Sequence, residues 1–114
     1  MKINMKRIGL ISNDDDMCKI LNYILYLDLD TTVESFLNRE DRNFDVILID
    51  IHLMSEQCLR KFMRLNIKSE IIKIISSVPF IYLPESHKSL LRKFENDYFV
   101  KPFNLYSFKK ELLE

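Results

Sequence analysis

Phe44-Asp45-Val46-Ile47-Leu48-Ile49-Asp50 is a nearly unbroken apolar run that stops at a carboxylate, and its reading decides the fold class. A strand with one wet face alternates apolar and polar residues. Continuous apolarity over so short a run predicts a strand covered on both faces, as in a parallel sheet flanked by helices. Downstream, Leu59, Phe62 and Met63 recur at helical spacing. Ile71-Ile72-Lys73-Ile74-Ile75 is a second apolar strand, ending at Ser76-Ser77. Leu90, Leu91 and Phe94 mark another helix, with Ser86 expected as its N-cap. Tyr98-Phe99-Val100 reads as a last strand, ending at Lys101-Pro102-Phe103, and Asn104 is expected to cap a final helix that buries Leu105, Phe108 and Leu112.

Upstream, the short apolar run Ile8-Gly9-Leu10-Ile11 halts at Ser12-Asn13-Asp14-Asp15-Asp16. Met17, Ile20, Leu21, Ile24 and Leu25 then follow at helical spacing, which puts the acids in a first helical turn, where the helix dipole favours them. Thr31-Thr32-Val33-Glu34-Ser35 is expected to form a short β-branched strand. Strands alternating with helices predict a doubly wound α/β domain. Right-handed crossovers bring all strand ends to one edge, where ligands bind in open α/β sheets. Ser12 to Asp14, Asp50, Ser76 or Ser77, and Lys101 therefore converge.

The chain has 114 residues, 47% of them hydrophobic and 30% charged, which suits one globular domain over residues 1–114 and argues against disorder. Lys+Arg and Asp+Glu balance at 17 each, so no basic field draws it to nucleic acid or anionic lipid. A helix-turn-helix DNA reader is not expected within these residues. Cys18 and Cys58 have no metal or redox spacing, and His52 and His87 add no zinc set. Both cysteines are expected as reduced thiols. The first residues lack the apolar core of a signal peptide, and no stretch has the uncharged length of a membrane span, so a cytoplasmic location is expected.

The blocks around Asp50 and Asp97-Tyr98-Phe99-Val100-Lys101-Pro102-Phe103, with Asp50 and Lys101 fifty-one residues apart, resemble the signature blocks of the receiver domain of bacterial response regulators. The resemblance covers essentially the whole chain. It implies a flavodoxin-like, five-stranded parallel sheet in order 2-1-3-4-5. It also implies that Asp50 accepts a phosphoryl group from a histidine kinase or phosphotransfer protein. Lys101 would neutralise a phosphoryl oxygen, Ser76 or Ser77 would donate a hydroxyl, and Tyr98 would be the switch aromatic. Lys101-Pro102 matches a peptide bond that is typically cis in the family. The face of the fourth helix, fifth strand and fifth helix, here carrying Lys88, Arg92, Lys93, Glu95, Lys109, Lys110 and Glu111, would mediate partner docking or dimerisation.

The chain departs from that pattern where the family holds Mg²⁺. Counting back from the helical apolar positions, the two metal-holding acids fall on Ser12 and Asn13, and Asp14 comes one residue late. The implied set is Asn13, Asp50 and the backbone carbonyl of His52, with Ser12 and Asp14 as further candidates. Mg²⁺ prefers anionic oxygens in near-ideal octahedral geometry, so a weakened site is expected. Met54 stands where the family usually has Pro, and Cys58 where it has Gly; sixteen residues separate Val33 from Asp50, fewer than the family needs for a full second helix, which is therefore expected to be one turn or absent. Val78-Pro79-Phe80-Ile81-Tyr82-Leu83-Pro84 is apolar for a loop and is expected to be an extra extended segment or part of a partner surface.

Two functions follow: a phosphorylation-controlled switch, or an atypical receiver that works by contact alone. Neither makes the chain an enzyme. An aspartyl phosphatase would want a second Asp at position 52, where His52 stands. A flavin phosphate would want small, amide-rich residues where the acidic run lies.

Overall fold

Among the described residues, the strands are β1 (Ile8–Ile11), β2 (Leu27–Asp30), β3 (Val46–Asp50), β4 (Ile72–Ser76) and β5 (Tyr98–Val100). They form one parallel sheet in the order β2-β1-β3-β4-β5. A computed structural model describes residues 7–24, 27–51, 54–65, 67–101 and 104–113. The helices are α1 (Asp15–Ile24), α2 (Val33–Leu37), α3 (Glu56–Met63), α4 (Glu85–Leu91) and α5 (Leu105–Leu113). A 3₁₀ segment, Arg92–Asp97, carries α4 into β5.

Every residue of β3 is buried, as expected of a central strand covered on both sides. Ile47 and Ile49 join Ile11, Phe36, Leu59, Phe62, Ile74, Leu91 and Phe94 in the core under α2, α3 and α4. Val46 and Leu48 face the other way, into a core with Ile8, Leu10, Met17, Leu21, Phe108 and Leu112 from β1, α1 and α5. The two-residue period of the strand thus divides one apolar run between two cores.

Several local expectations are corrected. The second strand is Leu27–Asp30, not residues 31–35. Thr32 instead caps α2, its hydroxyl accepting from Ser35 N at 3.0 Å, and Val33 and Phe36 are buried. The second helix is therefore a single short one. Ile20 is 50% exposed, because Met17, Cys18 and Leu21 form the inward stripe of α1 and Ile20 falls beside it. Pro84, not Ser86, stands at the N-cap of α4, with φ −56° and ψ 149° and no side-chain cap. The segment 78–84 is not one extended stretch, and the alternative expected for it, part of a partner surface, stays a proposal. Pro79 starts a 3₁₀ turn over Phe80–Tyr82 that packs Phe80 and Leu83 inward and leaves Ile81 and Tyr82 in water. Asn104 does cap α5, accepting from Ser107 N at 3.1 Å. Leu25, His52, Pro102 and Phe103, and with them the Lys101-Pro102 peptide, lie outside the described residues, as do the side chains of Ile24 and Leu105.

An ionic clamp holds the β2 edge. Asp28 and Asp30 project from the same face of β2, where Arg7 reaches Asp28 at 2.8 Å and Asp41 at 2.6 Å, and Arg39 reaches Asp30 at 2.5 Å. Both guanidinium groups also lie over the Phe44 ring, at 4.4 and 5.4 Å from its centroid. Gly9 is the chain's one glycine, and a Cβ there would come within 3.2 Å of that ring. A close approach of ring to backbone explains glycine at this place.

Candidate functional site

The sheet register brings the strand ends together. Asp50 closes β3 opposite Ile75, and Ile51 N donates to Ile75 O at 3.0 Å. Lys101 follows β5 directly, and its N–H donates to Ser76 O at 2.8 Å. Ser12 follows β1, tied through its N–H to Asp30 O at 2.9 Å. Strands β1, β3 and β5 thus deliver a hydroxyl, a carboxylate and an ammonium to one point.

There, Lys101 Nζ donates to Asp50 Oδ2 at 2.7 Å, and Ser12 Oγ donates to the same oxygen at 2.9 Å. The Asp50 side chain is 1% exposed and that of Lys101 14%. An isolated carboxylate at such depth is costly, and a charge-assisted pair with a further hydroxyl offsets that cost. Lys101 Nζ also donates to Asp14 Oδ2 at 3.0 Å. Burial works against the ammonium, yet the hydrogen bonds to Asp50 and Asp14 outweigh it and raise the pKa of Lys101. The Lys101 hydrogen bond, aided by the Met17 N–H, holds the Asp14 carboxyl below its usual range.

Ser76 is buried at the end of β4, its Oγ accepting from Val78 N at 3.0 Å, whereas Ser77 is exposed. Tyr98 donates its hydroxyl to the carbonyl of the same Val78 and meets the Phe80 ring edge-on at 5.6 Å. Burial raises the Tyr98 phenol, against an opposing hydrogen bond from Ser76. The peptide groups of one loop residue therefore connect the strand-end hydroxyl to the strand aromatic. Sequence reasoning misses Val78 as the connector, because backbone atoms play its part and leave no mark in residue type.

The described donor set does not fit an ordinary Mg²⁺ site. Asn13 is exposed, and Ser12 spends its hydroxyl on Asp50 while accepting from Asp14 N at 3.0 Å. Asp14 is turned to Lys101 through one oxygen and accepts from Met17 N at 3.2 Å through the other. Among the described residues no group of three or more His, Cys, Asp or Glu side chains is placed to hold a metal ion. The His52 carbonyl lies outside the described residues. Beside Asp50 a cleft of about 200 Å³ opens between Ser12, Asn13, Thr32, Ser55 and Cys58. Cys18 and Cys58 are free thiols.

No protein-family model matches the sequence, and no curated protein does. Solved structures do match in fold. The BeF3-activated receiver domain of DrrB, from Thermotoga maritima, is 21% identical with a TM-score of 0.59, over 96% of this chain and 98% of that one. The non-phosphorylated HemR receiver domain of Leptospira biflexa is 15% identical with a TM-score of 0.61, over 94% and 90%. The FixJ N-terminal structure is 14% identical with a TM-score of 0.66, over 95% and 90%. Together with the strand order and the flanking helices, these likenesses establish that the chain has the flavodoxin-like fold of response-regulator receiver domains.

Proposed function

We propose that this chain is a two-component receiver in which Asp50 accepts a phosphoryl group from a phosphohistidine of a histidine kinase or phosphotransfer protein. The observation that carries the reading is the buried Asp50–Lys101 pair, 2.7 Å apart at the carboxyl edge of the parallel sheet. In the step proposed, a carboxylate oxygen of Asp50 attacks phosphorus and the P–N bond breaks. Its electron pair stays on the imidazole nitrogen, which takes a proton from solvent, and an acyl phosphate remains on Asp50. Little covalent help is needed, and catalysis rests on charge and position. Lys101 supplies the fixed positive charge. Ser76 supplies a hydroxyl to a phosphoryl oxygen and releases Val78, whose carbonyl holds Tyr98. That connection supports a switch role for Tyr98. The output is a change in the loop 77–84 and the face formed by α4, β5 and α5, the proposed docking or dimerisation surface.

A second reading, a phosphorylation-independent interaction module, draws support from Ser12 and Asn13 standing where the family has acids. Acetyl phosphate separates the two. The first reading expects a phosphoryl adduct in the intact mass, lost in Asp50→Asn. A wild-type chain that stays unmodified at saturating donor, with and without Mg²⁺, supports the second and overturns the first.

A further inference from the structure

Asp14 is fixed from several sides. Its Oδ2 accepts from Lys101 Nζ at 3.0 Å and its Oδ1 from Met17 N at 3.2 Å. Its N–H reaches Ser12 Oγ at 3.0 Å, and its carbonyl accepts from Cys18 N at 2.9 Å. Asp15 and Asp16, from the same acidic run, are exposed. Only Asp14 of the three is directed to the ammonium that also holds Asp50.

Among the described residues the site therefore joins two carboxylates to one ammonium. An incoming phosphoryl group adds further negative charge and needs the same ammonium. It is held best when one carboxylate gives up its share of Lys101, and Asp14, 31% exposed, is far easier to release into water than Asp50, 1% exposed. We infer that Asp14 is the internal counter-anion of Lys101, occupying the ammonium until a phosphoryl oxygen displaces it, and not a ligand for a divalent cation. The inference rests on the phosphoacceptor reading and assigns the regulation of that same site. It reverses the sign of an obvious mutation: removing a metal ligand weakens phosphoryl binding, whereas removing a competing anion strengthens it.

Asp14→Asn is the direct test, since the amide oxygen still caps α1 while the charge is gone. Asp14→Ser is a second cap-competent variant, and Asp16→Asn controls for net charge. Inorganic phosphate is titrated into each full chain and followed by the NMR shift of the Lys101 amide, in MgCl₂ and in EDTA. The rate of acyl-phosphate formation from acetyl phosphate is measured alongside. Both Asp14 variants are expected to bind phosphate about tenfold more tightly, equivalent to about 1.4 kcal/mol, in either medium. Asp16→Asn is expected to change affinity by less than about twofold, because an exposed charge is screened. Acyl-phosphate formation rises with the Asp14 variants. Affinity no better than that of Asp16→Asn overturns the inference, as does a loss confined to MgCl₂, which would make Asp14 a cation ligand. If acetyl phosphate modifies none of the chains, the phosphoacceptor reading fails, and the phosphate titration still decides the role of Asp14.

Discussion

The β3–β5 half of the sheet and the β1–β2 half use charge in opposite ways. In the first, the Lys101 ammonium enters a largely buried site at the sheet edge and serves Asp50 at 2.7 Å and Asp14 at 3.0 Å. In the second, Arg7 and Arg39 spread over the partly solvated acids Asp28, Asp30 and Asp41 and over the face of Phe44. The first arrangement concentrates charge where a reacting group would sit. The second uses charge to close an edge that α2, a helix of only five residues, helps to cover. Positions 12 and 13 lie on the boundary between the halves, and there the chain has a hydroxyl and an amide.

The contrast can be broken from either side. The largest effect is expected in the β1–β2 half. The Phe44 ring stacks on Phe36 at 6.1 Å, beneath both guanidinium groups and beside Gly9. Phe44→Ala should cost about 3–5 kcal/mol in urea unfolding through the cavity it leaves, with the clamp loosened in addition. A loss similar to that of an exposed substitution would show that the arginines close this edge without the ring.

A somewhat smaller effect is expected in the other half. Lys101→Met leaves Asp50 buried without its ammonium and should cost about 2–3 kcal/mol, below the range for fully buried pairs because Asp14 can turn to water. Asp50→Asn in the Lys101→Met background should recover most of it. If Lys101→Met alone is neutral, the Asp50–Lys101 contact does not hold the site.

How much is legible in the sequence follows the same division. β3 and β5 and the residues at their ends, Asp50 and Lys101, are readable, because continuous apolarity marks a strand buried on both faces and its end marks the sheet edge. β2 is not, because Leu27-Asp28-Leu29-Asp30 places two acids on one face, and Arg7 and Arg39, from outside the strand, make that face tolerable. The β-branched Thr31-Thr32-Val33 draws the strand reading away, although Thr32 serves as a cap. Ser12 reaches Asp50, while of the helical positions Met17, Ile20 and Leu21 that set the register in the sequence, Met17 and Leu21 are buried and Ile20 is exposed. The turn of Asp14 towards Lys101 depends on how the loop after β1 folds back, which no spacing in the chain specifies.

The most direct test is a Mg²⁺ titration of the wild type and of the Ser12→Asp, Asn13→Asp double variant, followed by the amide shifts at positions 13 and 50. Weak, unsaturated shifts are expected in the wild type. A gain in affinity of at least about tenfold, or about 1.4 kcal/mol, is expected when two carboxylates face the cation. A wild type that saturates as readily as the double variant would contradict this, because the residues at the boundary of the two halves would then already hold the metal.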